Sequence, residues 1–182
     1  MAEKSSELTL PALKSLGDLA GAKPTIVIDS REQLKLTFTR LQSVDGTLYS
    51  VDYSVLGLEE LFAVERKTVA DLTACCCGEN RARFERELHR LRGFVFKRLL
   101  IVGTEEQIFR GQYLTSITPQ AVFGTLAAWE CRFDVPVVFI PNPKLAARQV
   151  ERWAFYFARE YVKATNQLLR SVNAGHSEGG SK

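Results

Sequence analysis

Residues 47–67 read TLYSVDYSVLGLEELFAVERK, in which two stretches rich in β-branched and aromatic residues flank a short turn. The stretches Thr47–Leu56 and Leu61–Lys67 are typical of antiparallel strands, and Gly57-Leu58-Glu59-Glu60 suits the connection between them. We therefore predict a β-hairpin whose two strands are joined by a turn at residues 57–60.

This hairpin would place two acidic side chains face to face. If Leu56 faces Leu61, Asp52 falls directly opposite Glu65, where like charges about 5 Å apart at Cβ destabilise the pairing. A divalent cation between the carboxylates would offset that repulsion, and their hard oxygen ligands suit Mg²⁺, with Mn²⁺ able to substitute. A slip of one residue would send Asp52 to the other face, so the register is itself a hypothesis.

Lys67 lies two residues beyond Glu65, so strand alternation puts both side chains on the same face. A lysine at such a centre can orient a water molecule or stabilise charge that develops on a phosphate group. This arrangement is what metal-assisted phosphodiester hydrolysis needs. The alternative left open by these residues is a solvent-exposed charged strand on which Asp52, Glu65 and Lys67 are merely hydrated or paired.

The rest of the chain alternates between strand and helix patterns. Further strands are predicted at Thr25–Asp29, Leu34–Leu41, Arg98–Val102 and Val135–Ile140, and helices at Thr68–Cys77, Asn80–Arg92, Thr118–Cys131 and Pro143–Leu169. This order predicts an α/β fold with a mixed central sheet flanked by helices. We expect one folded domain at residues 24–170, a flexible N-terminal segment at residues 1–23 and a disordered tail at residues 171–182.

The composition excludes some classes of protein. An apolar content of 46% is enough to fill a core and excludes global disorder, while a net charge of +3 is only a weak indication of an acidic partner. Neither a signal peptide nor a membrane-spanning run is evident, so we expect an intracellular, cytoplasmic protein. Reduced thiols that pack as small apolar side chains are expected for the four cysteines, Cys75, Cys76, Cys77 and Cys131.

Three motifs in order resemble those of a known nuclease family. Val64–Leu72 carries an ERK-x-x-x-D pattern, and Ile28-Asp29-Ser30-Arg31-Glu32 resembles a V-D-x-R-E segment. Asp52-Tyr53 lies where the family carries G-D-Y, although Val51 replaces the glycine. The stretch from Thr25 to Ile140 thus resembles the XPF-type nuclease domain of the PD-(D/E)XK, restriction-endonuclease-like superfamily, in a compact bacterial or phage form.

The resemblance implies a restriction-endonuclease-like fold and a Mg²⁺-dependent DNA endonuclease. It implies structure-selective cleavage of branched, flap or junction DNA, in repair, recombination or phage DNA processing. The catalytic residues would be Asp52, Glu65, Lys67, Asp29 and Arg66, and the metal ligands Asp52, Glu65 and Asp29. Arg66 is expected to bridge Asp29 or Asp71. Supporting roles are expected for Asp71, which would hold Arg66 or Lys67 in place, and for Arg31 and Glu32.

The predicted helix after the ERK motif has a basic face and an apolar face. Its exposed side would carry Arg83, Arg86 and Arg90 at helical spacing, and its buried side Phe84, Leu88 and Leu91. Phosphate contacts dominate affinity for nucleic acid, so beside a nuclease motif we expect the three arginines to contact DNA. An ordinary hydrated helix face is the alternative.

The same residues are also compatible with other functions and partners. A non-catalytic DNA-binding or partner subunit of a nuclease complex is the main alternative, and a phosphodiesterase acting on RNA is another. The last predicted helix has an apolar stripe that suits packing on the sheet or pairing with a second chain in a homodimer. XPF-type enzymes usually add tandem helix-hairpin-helix motifs, and none is evident here, so a protein partner could supply targeting.

Overall fold

The computed structural model of the protein describes residues 23–177. The chain divides into two compact units, and Lys23–Ala158 is the unit that contains the whole sheet. The described part of the other unit is the helical segment from Arg159 to Ser177. The flexible segment expected at the N-terminus lies, apart from Lys23, outside the described residues, as do residues 178–182 of the expected tail.

Six strands and five helices make up the described chain. The strands are β1 Ile26–Asp29, β2 Ser43–Gly46, β3 Tyr53–Val55, β4 Phe62–Thr68, β5 Phe96–Val102 and β6 Val137–Ile140. The helices are α1 Val69–Cys75, α2 Gly78–Leu91, α3 Glu105–Phe109, α4 Pro119–Phe133 and α5 Pro143–Ser177. The strands form one sheet in the order β2-β1-β3-β4-β5-β6, antiparallel where β3 pairs with β1 and β4 and parallel elsewhere. The mixed α/β fold is thereby confirmed.

Local capping sets where two of the helices begin. Thr68 ends β4 and caps α1, since its Oγ1 accepts a hydrogen bond from the Asp71 N–H (3.1 Å) and the Asp71 carboxylate accepts one from the Thr68 N–H (3.3 Å). Thr118 caps α4 through its side chain alone, since its Oγ1 accepts a hydrogen bond from the Ala121 N–H (3.3 Å), and Pro119 occupies the first turn as predicted. Helix α5 continues to Ser177, so residues 171–177 are helical where the disordered tail was expected to start.

Strand alternation divides the core into two layers, one on each face of the sheet. The first layer packs α1, α2 and α4 on the sheet, and its largest buried side chains include Leu72, Phe84, Leu88, Leu99, Ile101 and Trp129. The second layer packs α5 on the other face, and it includes Ile26, Tyr53, Phe62, Val64, Leu100, Ala147 and Val150. Trp153 and Phe157 pack at its border, so the first half of the apolar stripe of α5 packs on the sheet.

The hairpin register is confirmed, but its first strand is shorter than predicted. Tyr53 pairs with Val64, which is the register that sets Asp52 opposite Glu65. Strand β3 covers only residues 53–55 instead of Thr47–Leu56. The reason lies at Leu48, whose N–H donates to the Asp29 carboxylate (2.8 Å) and whose carbonyl accepts from the Arg31 guanidinium (2.5 Å). Side chains thus form hydrogen bonds with the Leu48 N–H and carbonyl groups, which in a longer strand would have bonded to a neighbouring strand.

The strand predicted at Leu34–Leu41 is wrong, because these residues have irregular backbone and the edge strand is β2 at Ser43–Gly46. Side chains again satisfy the backbone. The Leu36 N–H donates to the Tyr53 hydroxyl (3.0 Å), and the N–H groups of residues 39, 40 and 41 donate to Oε1 of Glu151 at 2.5–3.1 Å. Leu36 is buried and Phe38 partly buried in the second layer without strand geometry, so their two-residue spacing imitated that of a strand.

The cysteines are free, and burial agrees with the expected apolar packing for Cys75 and Cys76, whereas Cys131 is exposed. Among the described residues, no helix is both long enough and apolar enough to cross a membrane.

We predict that Glu151→Ala lowers the free energy of unfolding by about 2 kcal/mol, because three backbone N–H groups lose a charged acceptor. Urea unfolding followed by circular dichroism measures this change. Lys144→Ala, an exposed change on the same helix, is the control and should stay within about 0.5 kcal/mol of the unchanged protein. Equal stability of the two variants would contradict the anchoring role of Glu151.

Candidate active site

Asp29, Asp52, Glu65 and Lys67 come together on the α2 side of the sheet. They line one cavity of about 250 Å³. A neighbouring cavity of about 540 Å³ shares Asp52 and Lys67 with it and extends to Asp71 and Arg83. We call the two cavities together the catalytic cleft. The sequence-predicted acids and lysine are therefore brought to one place by strands β1 and β4 and by the residue before β3.

Asp52 is half-buried and bound to the neighbouring strand. Its Oδ2 accepts a hydrogen bond from the Arg66 N–H (2.7 Å), and its own N–H donates to the Val64 carbonyl (3.2 Å). Burial raises the pKa of Asp52 to about 6, although the Arg66 N–H and the charge of Lys67 oppose that rise. The β4 backbone therefore holds this carboxylate in place at the end of the hairpin.

Glu65 and Lys67 form an ion pair inside the cleft. Glu65 is only 5% exposed, and its Oε1 accepts a hydrogen bond from Nζ of Lys67. Burial, followed by the charge of Asp52, raises the pKa of Glu65 to about 8. Burial would lower the pKa of Lys67, but the charge and hydrogen bond of Glu65 outweigh it and raise that pKa above its usual value. The lysine is therefore held as an ammonium ion.

Asp29 lies in the same cleft, but hydrogen bonds already occupy both of its carboxylate oxygens. It accepts four of them at 2.8–3.0 Å, three from the backbone and guanidinium of Arg31 and one from the Leu48 N–H. The hydrogen bond from the Arg31 side chain is the main reason that the pKa of Asp29 is lowered. Metal binding by Asp29 stays a prediction, and it would require Arg31 to move away.

The expected partners of Arg66 and Asp71 are wrong. Arg66 lies on the opposite face of β4 from Glu65, as predicted, but its Nη1 is 3.6 Å from Oε1 of Glu32 rather than beside Asp29 or Asp71. Its Nε is buried and, among the described residues, has no hydrogen-bond partner. Asp71 instead completes the cap of α1 with Thr68, because its place in the first helical turn directs its carboxylate back to the helix start.

Helix α2 adds one acid that the sequence reasoning missed. Glu87 lines both cavities of the cleft, and its charge contributes to the raised pKa of Glu65. Its position could have been found from spacing, because Glu87 is four residues after Arg83 and three before Arg90 and so shares their helix face. Arg83 lines the larger cavity, and Arg90 lines the smaller one and donates to the Ser50 hydroxyl (2.9 Å). Arg86 is exposed beside them, outside the cavity lining.

The acids of the cleft fit a hard divalent cation, although no preformed cluster of three metal-ligating side chains occurs in the described part of the chain. Mg²⁺ commonly needs only one or two carboxylates, and water and phosphate oxygens complete its coordination. Asp52 and Glu65 supply two such groups, with Glu87 nearby. Burial is the main cause of the raised pKa values of both acids, and a bound cation would favour their carboxylate forms.

Comparisons with known proteins agree with this geometry. Residues 23–152 match the ERCC4 domain family. The fold is similar to that of a solved XPF from Aeropyrum pernix, with a TM-score of 0.58 and 20% identity over 72% of this chain and 60% of that one. A second structure, of XPF from Aeropyrum pernix in complex with DNA, has a TM-score of 0.58 and 18% identity over 76% and 66% of the two chains.

The chain thus spans less than two thirds of the length of these solved proteins. No match was found among curated proteins.

We predict that the metal-free protein loses stability as the pH rises from about 5 to 8. The folded pKa values of Asp52 and Glu65, about 6 and about 8, lie above those of the unfolded chain, so the native state binds more protons in this window. The unfolding free energy should therefore fall with pH, and it should fall less steeply in Glu65→Gln. Urea titrations at several pH values in EDTA measure the slope, with Glu106→Gln as an exposed control. A flat or rising profile would contradict the raised pKa values.

Proposed function

This chain belongs to the ERCC4 domain family of XPF-type nucleases, and from that premise we propose that it is a divalent-metal-dependent endonuclease that hydrolyses phosphodiester bonds in DNA. The observation that carries the proposal is the catalytic cleft, in which Asp52 and Glu65 are directly opposed in register and Lys67 is beside them. A merely hydrated strand would not bury Glu65 or raise the pKa of both acids.

Asp52 and Glu65 would hold the cation, which we propose to be Mg²⁺ with Mn²⁺ as a substitute. When bound, it would supply Lewis-acid polarisation of the phosphate and compensate the charge of the two acids. Glu87 lies close enough to add to the negative potential of the site. Asp29 would act indirectly, since its carboxylate orients the Arg31 guanidinium at the border of the cleft.

Lys67 would stabilise negative charge rather than remove a proton. Its raised pKa keeps the side chain charged at neutral pH, so Nζ can donate hydrogen bonds but cannot serve as a general base. An ammonium beside the reacting phosphate lowers the energy of the transition state, in which charge accumulates on the non-bridging oxygens. Arg66 would support this centre from the other face of β4, through its contact with Glu32 and through its N–H bond to Asp52.

DNA would lie along the α2 side of the cleft. Arg83 and Arg90 project from one helix face toward the acids, and the exposed Arg31 guanidinium lies at the same cavities. Such side chains neutralise phosphates and set the position of the backbone without reading the base sequence. The XPF structure in complex with DNA supports DNA as the substrate.

We further propose that the protein prefers branched, flap or junction DNA and acts in repair, recombination or phage DNA processing. We also predict that the protein forms a homodimer through its C-terminal helix and that a protein partner targets it to its substrate.

We predict that Asp52→Asn and Glu65→Gln each reduce cleavage at least about a hundredfold, while DNA affinity in EDTA changes little. Labelled duplex, flap, fork and four-way junction DNA with Mg²⁺ or Mn²⁺ provide the cleavage assay. Glu106→Gln, which removes an exposed carboxylate on α3, should cut as well as the unchanged protein.

Full activity in either cleft variant would overturn the assignment. Unchanged protein that binds these substrates but never cuts them with either ion would favour a non-catalytic DNA-binding subunit.

A further inference from the structure

A third cavity, of about 270 Å³, lies away from the catalytic cleft, between helix α5 and the segments that precede β1 and β2. Its lining includes Lys23, Arg40, Arg148, Glu151, Arg152 and Phe155, and we call it the basic pocket. Four of these side chains are cationic and one is anionic. The whole chain has a net charge of only +3, so this pocket concentrates positive charge on a small part of the surface.

The basic pocket and the catalytic cleft lie on opposite faces of the sheet. Helix α5 packs on the face that carries Ile26, Tyr53 and Val64, whereas Asp29 and Glu65 point to the α2 face. The two sites also lie at opposite ends of β1, because Lys23 precedes this strand and Asp29 ends it.

The cations of the basic pocket are available to a ligand. Within residues 23–172, none of the four forms a salt bridge; Arg152 donates only to the side-chain carbonyl of Gln149 (3.1 Å). Arg148 and Arg152 are four residues apart on one helix face, a spacing at which like charges repel. An anion bound between them would remove that repulsion.

The buried carboxylate of Glu151 joins two of the segments that line the basic pocket. Glu151 is 3% exposed, and its Oε1 accepts hydrogen bonds from the N–H groups of residues 39–41, so it ties the Arg40 segment to α5. The backbone of Arg40 is therefore held beside the helix turn that carries Arg148 and Arg152. Since Glu151 fixes the backbone of this irregular segment to α5, the cations are already near one another before a ligand binds.

Phosphate groups of DNA are the ligand that best fits these features. Arginine recognises phosphate through paired N–H donors. The lone anion of the pocket, Glu151, binds three backbone N–H groups through Oε1, whereas its Oε2 is buried and has no hydrogen-bond partner among the described residues. Since four cations line the pocket with this one carboxylate, an excess of positive charge is left for a phosphate. Phe155, which is 37% exposed at the pocket, offers an aromatic face to a sugar or a base.

Simultaneous use of both sites depends on the shape of the DNA. A linear duplex is stiff over about 150 base pairs, so it cannot follow the domain from one face of the sheet to the other. DNA with two arms that diverge at a branch can place one arm in the catalytic cleft and the other at the basic pocket.

We propose that the basic pocket binds the phosphates of a second arm of branched DNA while the first arm lies in the catalytic cleft. This rests on the proposed endonuclease function and names the residues that select branched substrates: Arg40, Arg148 and Arg152, with Lys23.

The test compares Arg148→Gln/Arg152→Gln with Arg110→Gln/Arg132→Gln, which removes the same charge from an exposed arginine just after α3 and from another in α4. Binding to a four-way junction and to a linear duplex of equal length is measured in EDTA over a range of salt concentrations. The pocket variant should bind the junction roughly tenfold more weakly, with a log–log salt slope smaller by about two. Its affinity for the linear duplex, which uses one site at a time, should fall by no more than about twofold. The control should leave the preference for the junction unchanged.

Equal losses on both DNAs, no loss on either, or the same loss in the control would overturn the proposal. Arg40→Gln gives an independent check, because it should weaken junction binding in the same direction, and unchanged junction binding would count against the pocket. These measurements need no catalysis. A protein that shows the expected binding pattern but never cuts with Mg²⁺ or Mn²⁺ would therefore disprove the endonuclease function and leave the basic pocket supported.

Discussion

Two carboxylates that face each other across a hairpin repel one another, and much of the structure around them compensates for that repulsion. Asp52 accepts the Arg66 N–H, Glu65 pairs with Lys67, and Arg31 neutralises the neighbouring Asp29. None of these contacts removes the burial of Glu65, which is why its pKa stays high in the presence of a lysine. Buried ion pairs of this kind are often no more stabilising than well-packed apolar residues of similar volume.

Neighbouring residues of β4 have different roles because a strand alternates its faces. Glu65 and Lys67 point into the catalytic cleft, whereas Arg66 between them is buried on the α5 face near Glu32. Arg66 is linked to the cleft in two ways, since its N–H binds the Asp52 carboxylate and the residue also borders the larger cavity beside Glu32. The three-residue motif therefore combines two side chains that form an ion pair in the cleft with a third that contacts Glu32 at its border.

Much of this arrangement could be predicted because it depends on local patterns. Strand β1, strand β4 and the hairpin register follow from β-branched runs and from the length of one turn, which fixes Asp52 opposite Glu65. The strand expected at Leu34–Leu41 failed for a non-local reason, since its backbone is satisfied by Glu151, more than a hundred residues away. The helix face of Glu87 follows from its spacing to Arg83 and Arg90, but only the docked helix shows that this face meets the acids of the cleft.

The junction between β4 and α1 has a consequence for how this protein can change over evolution. Thr68 is both the last residue of the strand and the cap of the helix, so no linker separates Lys67 from the buried Leu72. One inserted residue would rotate the helix by about 100° relative to the strand and turn Leu72 away from the core. Insertions and deletions should therefore be absent from residues 67–72 among related proteins, even where surface loops of the domain differ in length.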